Sequence, residues 1–479
     1  MDAVVVGAGP NGLAAALVLA KAGLAVEVHE AADTVGGGAR TAELTLPGFR
    51  HDVCSFAHPM GLASPFFRAF DLAARGVELL VPEVSYAHPL DGGRAGVAWR
   101  DLDRTADGLG RDGRAWRSLL GPLVRDWPGL VDVGMSDLRG VPPGLVTAAR
   151  FGLRMAEQGS ALWGARFRGD VAPALLTGVS AHAIAPPRAL APAGAGLMLA
   201  TLGHAVGWPI PRGGSQSIVD ALAAELRACG GKIVTGSRIE SLDQVRAHAV
   251  VLDVAPAALA RMAPLPARYL RWLTAFRYGG GACKVDYALS GPVPWAAPDL
   301  ARAGTLHLVG DRAEAVAAER AVAAGTHPDR PYVLVGQPGV VDPGRAPEGK
   351  HTLWSYAHVP NGSTRDLGEA VTAQIERFAP GFRDLVLARN VITAADAGTH
   401  NPNYVGGDIA AGAVTLRQTV FRPVPRWDPY RTPIPGVYLC SSSTAPGPGV
   451  HGMCGVHAAR RVLRQRFGIR ADPLALIRG

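Results

Sequence analysis

The chain opens on an unbroken apolar run, residues 3–6, followed at once by Gly7-Ala8-Gly9-Pro10-Asn11-Gly12. A short apolar run bounded by glycines predicts a strand buried on both faces of a parallel sheet. Residues 13–22 are rich in Ala and Leu and predict a helix that stops at Gly23. Residues 25–29 alternate apolar and polar side chains, a second strand closed by Glu30. Further on, residues 217–229 repeat apolar side chains at the helical period and end at Gly230-Gly231. Strands are predicted at 232–234, 238–242, 249–254, 284–289, 305–309, 332–336, 351–358 and 436–440, and helices at 364–378 and 452–467. Residues 76–204 read as less regular, broken by Trp, Arg and Pro-rich turns. The longest apolar stretch, 190–210, is interrupted by Pro192, Gly194, Gly196, Gly203, His204 and Gly207, which predicts a buried or cavity-lining helix rather than a membrane span.

The first unit carries chemistry. Gly7, Gly9 and Gly12 have the spacing that gives a tight turn, a close backbone approach to a diphosphate, and a close helix–strand packing. The helix that follows would point unpaired N–H groups and a partial positive charge at that diphosphate. Glu30 follows the glycines by about 20 residues, where a carboxylate holds ribose hydroxyls and repels a 2′-phosphate. NADP is therefore disfavoured. Tyr278-Gly279-Gly280-Gly281 lacks both strand and acid, so the chain shows one nucleotide unit. Either a single nucleotide does all the redox work, or a second cofactor binds transiently elsewhere.

Composition narrows the class. A chain of 479 residues with 48% hydrophobic and 18% charged residues is ordinary for a globular enzyme, with length for about three domain-sized units. The net charge is +8, carried almost wholly by scattered arginines with no basic run. That pattern argues against a nucleic-acid partner and leaves peripheral contact with an anionic membrane open. Five cysteines, an odd number without a C-x-x-C pair, imply free thiols in a reducing, cytoplasmic compartment and no metal site. The first strand begins at once, without a signal peptide ahead of it.

Residues Gly36-Gly37-Gly38-Ala39-Arg40-Thr41 resemble the G-G-x-x-R-T segment of FAD-dependent enzymes of the amine oxidase and phytoene desaturase type. Residues 209–215 resemble that family's G-W-P-x-x-G-G segment. The run from Tyr438 through Ser443, Pro446, Gly449, Val450 and His451 resembles the C-terminal segment of its phytoene desaturase-like members, which include the pyridine nucleotide-disulphide oxidoreductase-domain subgroup. Ser441 and Pro448 stand where that segment usually has glycine. The resemblance spans nearly the whole chain. It implies an α/β fold, with a discontinuous Rossmann-like FAD-binding domain (1–75, 205–260 and 405–479) and a mixed α+β substrate domain (76–204 and 261–404). It also implies that FAD is held by Gly7, Gly9, Pro10, Asn11, Gly12, Glu30, Gly37, Arg40, Thr41, Ile239, Ser443, Gly449, Val450 and His451. Arg40 would offset diphosphate charge, and a backbone amide at Ile239 would meet adenine. The first turn of the last helix would favour negative charge at the flavin.

The implied reaction is hydride transfer from a C–C bond of a lipophilic small molecule to flavin, as desaturation, saturation or isomerisation. Electrons would leave to dioxygen, a quinone or a nicotinamide. His58, His182 and His204 are candidates for the substrate cavity, as acid/base groups or as core histidines. Spacing singles out no catalytic base. Cys54 and Cys454 read as packing. An amine oxidase and a non-catalytic lipid-binding escort are the competing readings; the intact Gly7, Gly9, Gly12, Glu30 and Arg40 speak against the escort.

Overall fold

The computed structural model describes residues 1–479. Two sheets organise it. The first has five parallel strands in the order Val437–Leu439, Ala249–Leu252, Ala3–Val6, Val26–His29 and Lys232–Val234. Its central strands are wholly buried, as their unbroken apolar composition requires. Three distant stretches of chain thus meet in one sheet. Helix Pro10–Lys21 packs on this sheet beside the helix Met453–Arg466, which also reaches the sheet, and is buried along nearly its full length. The two helices touch backbone to backbone: a Cβ on Gly455 would lie 2.0 Å from the Asn11 carbonyl oxygen.

The second sheet has seven strands, ordered Val386–Ile392, Gly281–Leu289, His351–Val359, Val333–Gly336, Thr305–Leu308, Val84–Leu90 and Arg94–Trp99. Neighbours are antiparallel except for Thr305–Leu308 beside Val84–Leu90. No helix is long and apolar enough to cross a membrane.

Three readings change. Residues 76–204, expected to be irregular, hold two neighbouring strands at one end of the seven-stranded sheet and five α-helices from Leu102–Gly108 to Val171–Ser180, beside the cavity-lining helix Leu190–Ala205 that the apolar stretch predicts. Their apolar faces are buried around Trp116, Leu119, Leu175 and Leu197, and the Arg, Gly and Pro residues set among them obscured that period. Residues 238–242 form no strand, because the Glu240 and Ser241 N–H groups donate to Gln244 Oε1 and cap a short 3-10 turn. The helix expected from residue 364 starts at Gly368, since Ser363 and Asp366 side chains take the intervening N–H groups.

Candidate functional site

One cavity of about 1080 Å³ runs from the glycine turn after the first strand to the face of the antiparallel sheet. That volume stands at the upper end of the ~300–1,000 Å³ usual for a single small-molecule site, and its lining runs without a break from the glycine turn to an apolar chamber.

The nucleotide end is built from backbone. Gly7 has φ +101, and a Cβ on Gly12 would lie 2.0 Å from the Gly7 carbonyl oxygen. A Cβ on Gly37 would come within 3.1 Å of the Gly9 Cα, so the two loops meet as bare main chain. Side chains at Gly7, Gly12 or Gly37 would collide with Asp253 or with main chain, so the turn keeps its shape only as bare backbone, the form that suits a dinucleotide diphosphate. Glu30 lines the cavity, its carboxylate accepting the Ala8 and Ala32 N–H groups at 2.7 and 2.9 Å. Arg40 donates to the Gly37 carbonyl at 3.2 Å and to the His400 carbonyl, and has no carboxylate partner. Its charge is left for a ligand. Asn11 Nδ2 donates to Ser442 Oγ at 3.2 Å across a separation of 431 residues, tying the first turn to the C-terminal loop.

Asp253 was not expected here. It follows the strand Ala249–Leu252, lines the cavity, and accepts the Gly12 N–H on Oδ2 at 3.0 Å. The helix N-terminus that would face a diphosphate already faces one of the chain's own carboxyls. Burial, reinforced by the Glu30 charge and only partly offset by the Gly12 hydrogen bond, pushes its pKa up to about 7. The available signal was an acid directly after a buried apolar strand.

Of the other anticipated residues, Gly7, Gly9, Pro10, Gly37, Ile239, Ser443, Gly449 and Val450 also line this cavity. Gly12 lies behind its wall. Thr41 does too: its Oγ1 donates to Asp52 at 2.7 Å and accepts the Gln216 N–H, which pins the arginine segment to the 209–215 turn. His451 is corrected from ligand to cap. Its Nδ1 accepts the Met453 N–H and its Nε2 donates to the Gly447 carbonyl, both at 3.1 Å, so the ring closes the start of helix Met453–Arg466 from within. Burial lowers its pKa to about 4.

The histidines separate. His204 does not line the cavity: Nδ1 donates to the Trp99 carbonyl at 2.9 Å and Nε2 accepts from Trp116 at 3.1 Å, a satisfied core pair. His58 lines the cavity. Ser215 Oγ donates to the Ser55 carbonyl, so His58 Nε2 donates to Ser215 at 2.7 Å, leaving Nδ1 buried with a free lone pair. Burial lowers the His58 pKa to about 4. His182 also lines the cavity, and its Nε2 meets His307 Nε2 at 2.8 Å. Burial, and then the charge of His358, takes its pKa to about 3. Both rings are neutral at pH 7. Cys54 lines the cavity as well, whereas Cys454 packs against the Thr444 and Gly447 carbonyls.

Two buried charge groups support the floor. Arg345 bridges Asp52 and Asp342 at 3.0 and 2.8 Å. Lys284, paired with Asp286, stands 5.3 Å from the ring centre of the cavity-lining Trp354. A Lys and an Asp two apart in an apolar strand share one face, and that was the readable signal. Arg422 is buried in the cavity wall, bonded only to the Ser443, Ala410 and Ala411 carbonyls. Burial holds its pKa below the usual guanidinium value.

The far end is apolar, shaped by Phe151, Met155, Met198, Leu199, Leu334 and Ile409. The carboxylates lining the cavity, Glu30, Glu240 and Asp253, lie toward the nucleotide end.

The fold defined by these parts is the flavin-type oxidoreductase fold shared with amine oxidases. Residues 5–73 match the NAD(P)-binding Rossmann-like domain. The chain is 25% identical to the pyridine nucleotide-disulfide oxidoreductase domain-containing protein 2 of Rattus norvegicus, over 97% of this chain and 93% of that protein. An oxidoreductase from Methanosarcina mazei superposes with a TM-score of 0.63 at 19% identity, covering 97% of this chain and 100% of that one. Cyclohexylamine oxidase from Brevibacterium oxydans gives 0.57 at 15% identity, covering 99% and 98%.

Proposed function

We propose that the chain is an FAD-dependent oxidoreductase that removes hydride and proton across a C–C bond of an uncharged, largely apolar substrate. The carrying observation is the single cavity, which joins a dinucleotide cradle with an unpaired Arg40 to an apolar chamber without carboxylates. Gly7, Gly9, Pro10, Gly37 and the Ile239 backbone would hold the adenosine and diphosphate; Glu30 would take the ribose hydroxyls. Ser443, Gly449 and Val450 would line the flavin end. Bound FAD supplies a two-electron, hydride-accepting centre. Arg422, a cation with only carbonyl partners, favours negative charge accumulating beside the C-terminal loop. The apolar chamber orients substrate and excludes water. His58 Nδ1 is an unpartnered acceptor beside the cavity, buried and made weakly basic by that burial. Electrons return to dioxygen, a quinone or a nicotinamide.

The test begins with the purified protein: FAD released on denaturation and identified by chromatography supports the reading, while NAD or no nucleotide after reconstitution sinks it. Anaerobic reduction by a panel of apolar and amine substrates then separates the chemistries. The amine-oxidase reading draws on the likeness to cyclohexylamine oxidase. Peroxide released with amines, and none with polyenes or other apolar compounds, would establish it instead.

A further inference from the structure

Helix Leu145–Gln158 is packed inside out. Its buried residues are Thr147 and Gln158, whereas Leu145, Val146 and Leu153 are 65, 71 and 73% exposed. Ala149 and Ala156 complete the outer stripe at helical spacing, so the solvent side carries no charge along its centre. Val141, 83% exposed, extends the stripe into the preceding turn. A contiguous apolar face of this kind is normally covered.

The same helix is a wall of the cavity, since Phe151 and Met155 line it from within. Leu416 both lines the cavity and is exposed, on a short helix, Leu416–Val420, that packs on Leu190–Ala205, the neighbour of Leu145–Gln158. Arg139 ties the two together: it donates to the Val420 carbonyl at 2.9 Å and stands over the exposed Phe421 ring at 5.4 Å. The charge around the face is one-sided. Residues 137–170 hold five arginines against Asp137, Glu157 and Asp170, a net +2, and Asp137 and Asp170 are paired with Arg461 and Arg94 outside this stretch. Glu157 is spent on Arg154 and Arg166. Arg139 is held by the Val420 and Val424 carbonyls, while the Arg150 and Arg168 side chains have no ion-pair partner.

We propose that the outer stripe of helix Leu145–Gln158, continued by Val141 and Phe421, seats the protein on an anionic phospholipid bilayer, with the cavity opening toward the acyl chains. Apolar side chains would enter the boundary region while the unpaired arginines face lipid phosphates. This goes beyond the redox reading and does not need it: binding is measured without turnover, on protein with or without flavin.

The experiment is flotation of the purified full chain with vesicles of phosphatidylcholine plus phosphatidylglycerol, beside vesicles of phosphatidylcholine alone. The protein should float with the anionic vesicles, less so as salt rises. Leu153→Glu should weaken partition at least about tenfold, and Arg150→Ala about fivefold. Both positions are away from the buried core, so thermal melting should hold; Leu145→Glu repeats the test at an independent site. Wild-type protein left in the dense fraction with anionic vesicles overturns the proposal. So does a concentration-dependent dimer that Leu153→Glu splits, because a second copy then covers this face.

Discussion

The two ends of the cavity are built by opposite means. At the glycine turn, contacts are directional and fixed by main chain: Glu30 on two N–H groups, Asp253 on Gly12, Asn11 on Ser442. At the other end Phe151, Met155, Met198 and Leu199 offer shape and little else. Methionine and leucine repack at modest cost, whereas a glycine held against a carbonyl oxygen cannot be replaced without moving the backbone. The cradle is therefore tuned to one ligand, and the chamber tolerates a range of apolar shapes.

Four substitutions bear on that contrast, in falling order of effect. Gly12→Val should be the most severe: its Cβ would stand 2.0 Å from the Gly7 carbonyl oxygen. A loss of more than about 3 kcal/mol, over a hundredfold in flavin retention, is expected from absorbance of the purified protein. Arg40→Ala, which removes a cation without moving backbone, should weaken FAD binding about tenfold to a hundredfold by calorimetry, with the loss smaller at high salt. Asp253→Asn tests the carboxyl beneath the turn. A bound diphosphate disfavours a second anion there, so the bound state keeps Asp253 protonated. Since the free carboxyl titrates near 7, FAD affinity should be flat below that pH and fall above it, approaching tenfold per pH unit. Glu30, Cys440 and Cys454 are the other titratable groups that sense Asp253. The asparagine variant should lose the slope; a slope that survives shows that another group titrates. Met198→Ala, at the apolar end, should change FAD affinity by less than about 0.5 kcal/mol while raising KM for bulky substrates less than for small ones. If it weakens FAD as much as Arg40→Ala does, the two ends are not separable.

The parts of the site that could be read in the chain are those where chemistry constrains the backbone. The glycine spacing and Glu30 sit where such a motif must place them, because strand, turn and helix follow each other without a gap. His451 was misread because its neighbours line the cavity while its own ring turns inward to cap a helix, a distinction of side-chain direction that spacing does not carry. His204 was ambiguous for the same reason: Trp99 and Trp116, which satisfy it, are far away in sequence. Asp253 and Arg422 gained their surroundings only when the strands assembled. The helices between 102 and 180 escaped notice although Trp116, Leu119, Leu120 and Leu123 recur at the helical period, because the Arg, Gly and Pro residues set among them read as turns.

The Asn11–Ser442 contact also sets a clock on biogenesis. A ribosome adds about 5–20 residues per second, so the first turn waits roughly 20–90 s for the partner 431 residues downstream. Throughout that interval the helix Pro10–Lys21 lacks helix Met453–Arg466, which packs against it. The nascent chain must shelter the apolar stretch Leu13–Ala20 until that helix is made, and a cradle that needs both stretches of chain cannot close before then.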